Sequence, residues 1–252
     1  APEHEDDGHI PGSLLLPLPV LSSAPAALPD DGRPIIIYCS NGVRSHRAAR
    51  RLAEAGVENL HILRRGLLEW TGPREEGPTV AGGPSSWVVA NTALVPPGPR
   101  TLDVACGRGR HALFLAAAGS MVRAVDRDEA RVKRLGDIAR RLRLPLDAAV
   151  VDLEADDVDL GEEEYELVLV FHFLHRPLFP AQVRALRPGG VLLYETFTKE
   201  QAQHGRPSTL EFLLDPGELP SLVAPLEVIR QREGEFEGRH LASVAARRPA
   251  GP

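Results

Sequence analysis

Cysteine is almost absent: Cys39 and Cys106 are the two thiols in 252 residues. They fall in different parts of the chain, so no disulfide framework is expected, and the setting reads as a reducing cytoplasm. Basic charge is not in excess either. The chain carries 29 Lys+Arg against 35 Asp+Glu, a net charge of -6, and neither half is basic. A nucleic-acid partner therefore lacks its usual electrostatic footprint. No apolar run approaches the roughly 20 residues needed to span a bilayer, so no membrane segment is expected. The start, APEHEDDGHIPGS, has neither the basic nor the apolar region of a secretory leader. Nothing in the sequence suggests a metal site, and no internal repeat is visible.

What is present falls into two globular segments. Residues 71–86, TGPREEGPTVAGGPSS, are rich in Gly, Pro and Ser and cannot supply a core. The division is residues 1–72, a linker at 73–86, and residues 87–252. In the first segment Ile35 to Tyr38 reads as a buried strand ending at Cys39, followed by a loop, a helix from Ser45 to Ala55 and a stop at Gly56. Asn59 to Leu63 reads as a second strand and Leu67 to Trp70 as a short helix. The second segment alternates: strands at 100–104, 121–125, 148–151, 167–171 and 191–194, with helices at 111–118, 131–142 and 180–186. Such alternation predicts an α/β fold with a parallel, doubly wound sheet.

The strongest chemical signal is Leu102-Asp103-Val104-Ala105-Cys106-Gly107-Arg108-Gly109-Arg110. A strand delivers an acid into a turn of small residues that opens a helix. Small residues let backbone approach a ligand, and the helix start offers unpaired N–H groups to an anion. Alone, this pattern also fits a dinucleotide site or a plain tight turn. Two later acids sharpen it. Asp126 ends the next strand, where a carboxylate can take both hydroxyls of a ribose, and Asp152 ends the third, where it can accept from the exocyclic amine of adenine. The nicotinamide fingerprint G-x-G-x-x-G is not met, because Ala112 stands at its last position.

With these residues in hand, positions 87–248 resemble the class I S-adenosylmethionine-dependent methyltransferases. Ala105 replaces the first glycine of that family's opening motif. The resemblance implies a Rossmann-like doubly wound domain and S-adenosyl-L-methionine as cofactor. It implies cofactor contact by Asp103, Ala105, Gly107 and Gly109, ribose binding by Asp126, and adenine contact by Asp152 and Leu153. Phe171, at the end of the fourth strand, is placed with them. Cys106, inside the turn, reads as a small apolar filler. Phe171 to Phe179 and Phe212 to Leu219 are similar to the small-molecule methyltransferases related to tellurite-resistance proteins, implying a small acceptor such as a thiol or chalcogen species. Methyl transfer from a sulfonium needs mainly proximity and alignment. His175 is the candidate base or acceptor ligand and Arg176 the anion anchor. Both also fit a role in holding the loop, and His172 reads as packed. Glu195, His204 and Arg206 follow the fifth strand and are candidates for the same pocket.

Cys39 sits where a strand meets a helix. There the loop amides and the helix dipole lower a thiol's pKa, with Arg44 as a nearby cation and Ser45 as a helix cap. Residues 3–72 resemble a single-domain rhodanese, on Gly8 to Ser13 (G-H-I-P-G-S), Tyr38 to Ser45 (Y-C-S-N-G-V-R-S) and Gly66 to Trp70 (G-x-x-x-W). That family's opening strand falls ahead of Ala1. The resemblance implies a small rhodanese-like α/β domain in which Cys39 carries a persulfide steadied by the loop amides and Arg44, with thiosulfate or a persulfide as sulfur donor. Four residues separate Cys39 from Arg44, whereas cysteine phosphatases place five there, so sulfur transfer is preferred over phosphatase chemistry. The expectation is a methyltransferase for a small acceptor with an attached sulfur carrier. The alternative is an RNA or protein methyltransferase whose rhodanese module docks a partner or senses redox state.

Overall fold

The structure is a computed structural model that describes residues 8–11, 13, 16, 18, 34–75, 84–236 and 238–250. Three β-branched residues, Ile35–Ile37, form strand β1, as their side chains favour extended backbone. It pairs in parallel with β2, Leu60–Ile62. A parallel pair needs a crossover, and helix α1, Val43–Glu54, supplies it. Its buried residues, Ser45, Ala48, Ala49 and Leu52, keep the i, i+3, i+4, i+7 spacing of one helix face. The cap is Gly42, not Ser45: its left-handed φ of 91° turns the chain out of the Cys39 loop directly into the helix, leaving Ser45 in the first turn. The expected stop at Gly56 is there, with φ 84°. Gly56 N–H donates to the Ala53 carbonyl and Val57 N–H to that of Leu52, the hydrogen-bond pair of a Schellman end.

The packed part of this unit runs past its predicted edge. Glu75 and His9 exchange backbone hydrogen bonds, each of 2.9 Å, and the Trp70 indole donates to the Pro73 carbonyl. Ser85, at the other end of the expected linker, caps helix α2, Ser86–Asn91, by accepting from Trp87 N–H. The predicted linker residues 76–83 lie outside the described residues, as does Gly12 of the Gly8–Ser13 segment.

The second unit is built on β3 (Arg100–Val104), α3 (Arg110–Ala117), β4 (Met121–Asp126), α4 (Glu129–Leu142) and β5 (Leu146–Val150), then β6 (Tyr165–Phe171), α5 (Phe179–Ala185) and β7 (Leu186–Phe197). A short helix α6, Leu219–Leu222, and the hairpin β8 (Glu227–Phe236) and β9 (Arg239–Arg247) follow. Among the described residues the sheet order is β5-β4-β3-β6-β7-β9-β8. The first five strands are parallel, as expected; β9 and β8 are antiparallel, which the sequence reading did not foresee. Their short connection permits no other arrangement. Residues 187–190, between the expected helix at 180–186 and the expected strand at 191–194, lie inside β7. Pairing jumps from Tyr165–Leu186 to Leu167–Val191, so those four residues bulge out. Leu167 to Val170 of β6 are essentially inaccessible, which is why that run is wholly apolar. The order reverses direction at β3, between β4 and β6, and a crevice opens there beyond the carboxyl ends of the strands.

Candidate active site

The turn from β3 into α3 alternates left-handed residues: Ala105 at φ 55°, Gly107 at 56° and Gly109 at 77°. Glycine adopts this conformation freely, whereas an alanine pays roughly 1–2 kcal/mol for it. Hydrogen bonds hold the turn. Cys106 N–H donates to Val125 O, Gly109 N–H to Cys106 O, and Gly107 N–H to the Asp126 carboxylate at 2.8 Å. A Cβ on Gly109 would lie 2.4 Å from the Leu135 side chain, whereas one on Gly107 would meet nothing within 4 Å. The first glycine thus admits α4 against the turn, and the second keeps a wall open.

That wall belongs to a cavity of about 450 Å³. Ala105, Cys106, Gly107, Asp126, Leu153 and Phe171 line it together, with Arg108, Arg110 and Arg131 as nearby cations. Asp126 is nearly buried and accepts from both Gly107 and Asp128 N–H. Other predicted residues lie outside the cavity lining. Asp103 is sealed beneath the turn, accepting from Ala112 N–H at 3.1 Å, and burial pushes its carboxyl up to about 7. Gly109 faces Leu135. Asp152 caps its own loop by accepting from Glu154 N–H. Burial raises the Cys106 thiol far above its ordinary value, and the carboxylates of Asp103 and Asp126 add to the effect.

The loop after β6 divides the two histidines. His172 lines the cavity, held at φ 56° with its ring 4.8 Å from that of Phe197. His175 lines a second cavity of about 440 Å³, beside Asp156, Asp157 and Asp159. Arg176 is fully engaged: its guanidinium grips Glu218 with hydrogen bonds of 2.7 and 2.8 Å and reaches the carbonyls of Glu211 and Leu213. Glu195 is buried in a closed network, accepting from Ser85, Ser243 and Arg232, and so pins α2 to the sheet. His204 stacks on His240, and Arg206 is not in the cavity lining. The sequence reading missed His111, in the first turn of α3. It lines the cavity, lies 4.2 Å from the Phe171 ring and is 3% exposed. Its position just after the glycine turn was the available signal.

In the first unit the loop wraps the sulfur. Gly42 N–H and Ser45 N–H donate to Cys39 Sγ at 3.1 and 3.4 Å, and the Ser45 hydroxyl stands 3.6 Å away. Partial burial works to raise the Cys39 thiol, but hydrogen bonds from Ser45, Asn41 and Gly42 together outweigh it and hold the thiol below its ordinary value. Arg44 donates to the Ser40 hydroxyl at 3.2 Å, bracing the loop. Gly66 is forced: at φ 59°, a Cβ would sit 1.8 Å from the Cys39 carbonyl oxygen. Its absence lets Leu67 and Leu68 N–H reach the carbonyls of Cys39 and Ser40.

A parallel sheet ending in an antiparallel pair, with a glycine turn at its switch point, defines the fold of the S-adenosylmethionine-dependent methyltransferases. The structure of TehB from Haemophilus influenzae superposes with a TM-score of 0.55 at 22% identity, covering 66% of this chain and 62% of that one. Residues 83–219 match the family "Tellurite resistance protein TehB", and the chain belongs to that family. Residues 1–73 match the rhodanese-like domain. Hemagglutinin 1 of Eikenella corrodens is 33% identical over 141 residues, 53% of this chain and 46% of that protein. The probable S-adenosyl-L-methionine-dependent methyltransferase TehB of H. influenzae is 28% identical over 91 residues, 35% of this chain and 31% of that one. The chain thus spans about half or less of these curated relatives. The cofactor of the class is S-adenosyl-L-methionine, and the cavity fits it: a wall at Gly107 that carries no side chain, a carboxylate at the end of β4, and cations for a carboxylate.

Proposed function

We propose that the chain transfers a methyl group from S-adenosyl-L-methionine to a small acceptor, and that Cys39 carries sulfur as a persulfide. The observation that carries the first part is the Ala105–Gly109 turn with Asp126 beside it, opening on one cavity at the switch point. In this reading Asp126 takes the ribose hydroxyls, Leu153 and Phe171 flank the nucleoside, and the arginines hold the carboxylate. The bound cofactor supplies a methyl group already activated on sulfur. The chain's own work is to bind, align and exclude water. Asp103 acts from below, as a positioning residue that fixes α3 against β3, and Asp152 shapes the loop that presents Leu153. His175, in the second cavity, and Arg176, committed to Glu218, stand away from the cofactor cavity as candidates for holding the loop after β6.

For the second part, the Cys39 thiolate attacks the outer sulfur of thiosulfate. A sulfur–sulfur bond forms on Cys39, and sulfite leaves with the electron pair of the broken bond. Gly42 and Ser45 N–H, already directed at Sγ, are placed to steady the charge. The test of the methyltransferase reading is calorimetric titration with S-adenosylmethionine beside Asp126→Ala. Micromolar binding that weakens at least tenfold, about 1.4 kcal/mol, supports it. No binding by the unaltered chain defeats it.

A further inference from the structure

His111 carries a feature the function above leaves unused. Its Nε2 is buried with no hydrogen-bond partner, although its ring lines the cavity. An unpaired buried polar nitrogen is costly, and one that lines a cavity is placed for a partner that a ligand can supply. The ring shares the cavity lining with Phe171 and His172. It leans on Phe171, and His172 is its electrostatic neighbour. Phe171 ends β6 and His172 follows it. We propose that His111 is a catalytic residue that takes the proton of a neutral thiol acceptor. This rests on the methyltransferase reading and narrows its substrate class.

The chemistry selects among acceptors. Burial, then the Arg110 guanidinium and His172, hold the His111 imidazole well below its ordinary value. It is therefore uncharged at neutral pH and compatible with a cationic methyl donor. The lining carries four arginines against the carboxylates of Asp126 and Glu154, so an ammonium acceptor would meet that donor and a net positive wall as a like charge. A chalcogen oxyanion is already ionised and needs no base. A thiol is neutral, has one proton to lose and has an ordinary pKa of about 8.5, which the surrounding cations bring within reach of a weak base. In the step, the S–H proton passes to Nε2, with the other ring proton on Nδ1. The sulfur's electron pair forms the bond to the methyl carbon, and the pair of the breaking carbon–sulfur bond leaves with the departing thioether. The imidazolium, disfavoured beside Arg110, returns its proton to water at the open mouth.

The experiment uses the full chain and two variants. His111→Gln keeps a hydrogen-bonding group without a base, and His111→Phe keeps the ring against Phe171. First, S-adenosylhomocysteine is titrated into each by calorimetry. Binding by the unaltered chain and both variants within threefold is expected; failure of the unaltered chain sinks the methyltransferase reading itself. Second, the imidazole carbon signal of His111, assigned by its loss in the variants, is followed by NMR. It is expected to be neutral at pH 7, to hold still on adding S-adenosylhomocysteine and to shift on adding 2-mercaptoethanol. A shift with the cofactor product alone, or none with the thiol, overturns the proposal while leaving the parent reading intact. Third, methylation of 2-mercaptoethanol is compared with that of 4-nitrothiophenol, which is ionised at neutral pH, and of selenite. His111→Gln is expected to lose about 10²-fold or more on the first and less than threefold on the second. Equal losses on both thiols, or methylation of selenite with no thiol accepted, overturns it.

Discussion

The two cysteines occupy the same place in two strand–turn–helix units, and their chemistry is opposite. Cys39 follows the last residue of β1 by two positions; Cys106 follows the last residue of β3 by two. In both turns a left-handed glycine leads into the helix, Gly42 in one and Gly109 in the other. In the first, the amides of Gly42 and Ser45 converge on the chain's own sulfur, and the thiol is lowered. In the second, the Gly107 amide goes to Asp126, and burial of the sulfur, with two carboxylates near it, raises the thiol. One turn lowers the pKa of a thiol it owns; the other shapes a wall around a cavity. Sequence position relative to a strand end therefore says little about a cysteine; how deeply the sulfur is buried and whether neighbouring N–H groups reach it say more.

The comparison breaks most visibly at Gly66. Gly66→Ala drives a Cβ into the Cys39 carbonyl at 1.8 Å, and a loss above roughly 4 kcal/mol is expected for such an unrelievable clash at left-handed backbone. Limited proteolysis should then cut the first unit while the second keeps its cofactor binding. Next in size is reactivity. At pH 7 iodoacetamide should modify Cys39 at least about 100-fold faster than Cys106, since the thiolate is the nucleophile; peptide mass spectrometry reads the ratio. Comparable rates would erase the contrast.

Asp103 gives a smaller effect with a definite sign. Its folded carboxyl keeps its proton up to about 7 against an ordinary 3.8. As pH rises between those values the unfolded chain ionises first, so stability falls across that window and stays lower above it. Asp103→Asn removes the dependence and can still accept from Ala112 N–H. The variant should be about 2 kcal/mol more stable than the parent at pH 8, with the new buried amide N–H group offsetting part of the gain. Urea unfolding at pH 5 and pH 8 checks it. The smallest expected change is at Ala105, where glycine relieves left-handed strain at φ 55°. Ala105→Gly should leave stability within about 1 kcal/mol and cofactor affinity within threefold.

Much of this was legible in the residues because it rests on local rules. The apolar run at 167–170, the small-residue turn at 105–109 and the stop at Gly56 each follow from backbone or burial demands that leave a mark on sequence. The β8–β9 hairpin was not legible. Edge strand β8 alternates exposed and half-buried residues, among them Arg230, Glu233 and Glu235, and so carries no apolar signature. The site divided along the same line. Asp126 and Leu153 line the cavity because strand ends converge at the switch point. His175 and Arg176 were chosen by residue type after a strand, and only the loop's path decides which cavity or partner they meet. His111 was hidden because a helical histidine next to a glycine turn looks like any packed ring until its unpartnered nitrogen is located.

The account's central claim is that one chain holds two separate sites, a sulfur carried on Cys39 and a cofactor held at the β3–α3 turn. Intact-protein mass spectrometry tests it directly, after thiosulfate treatment and in the presence of S-adenosylhomocysteine. The account predicts one added sulfur atom, confined to the Cys39 peptide and lost in Cys39→Ala, together with one bound nucleoside that Asp126→Ala weakens and Cys39→Ala does not. Sulfur on Cys106, or a single substitution that removes both species, would contradict it.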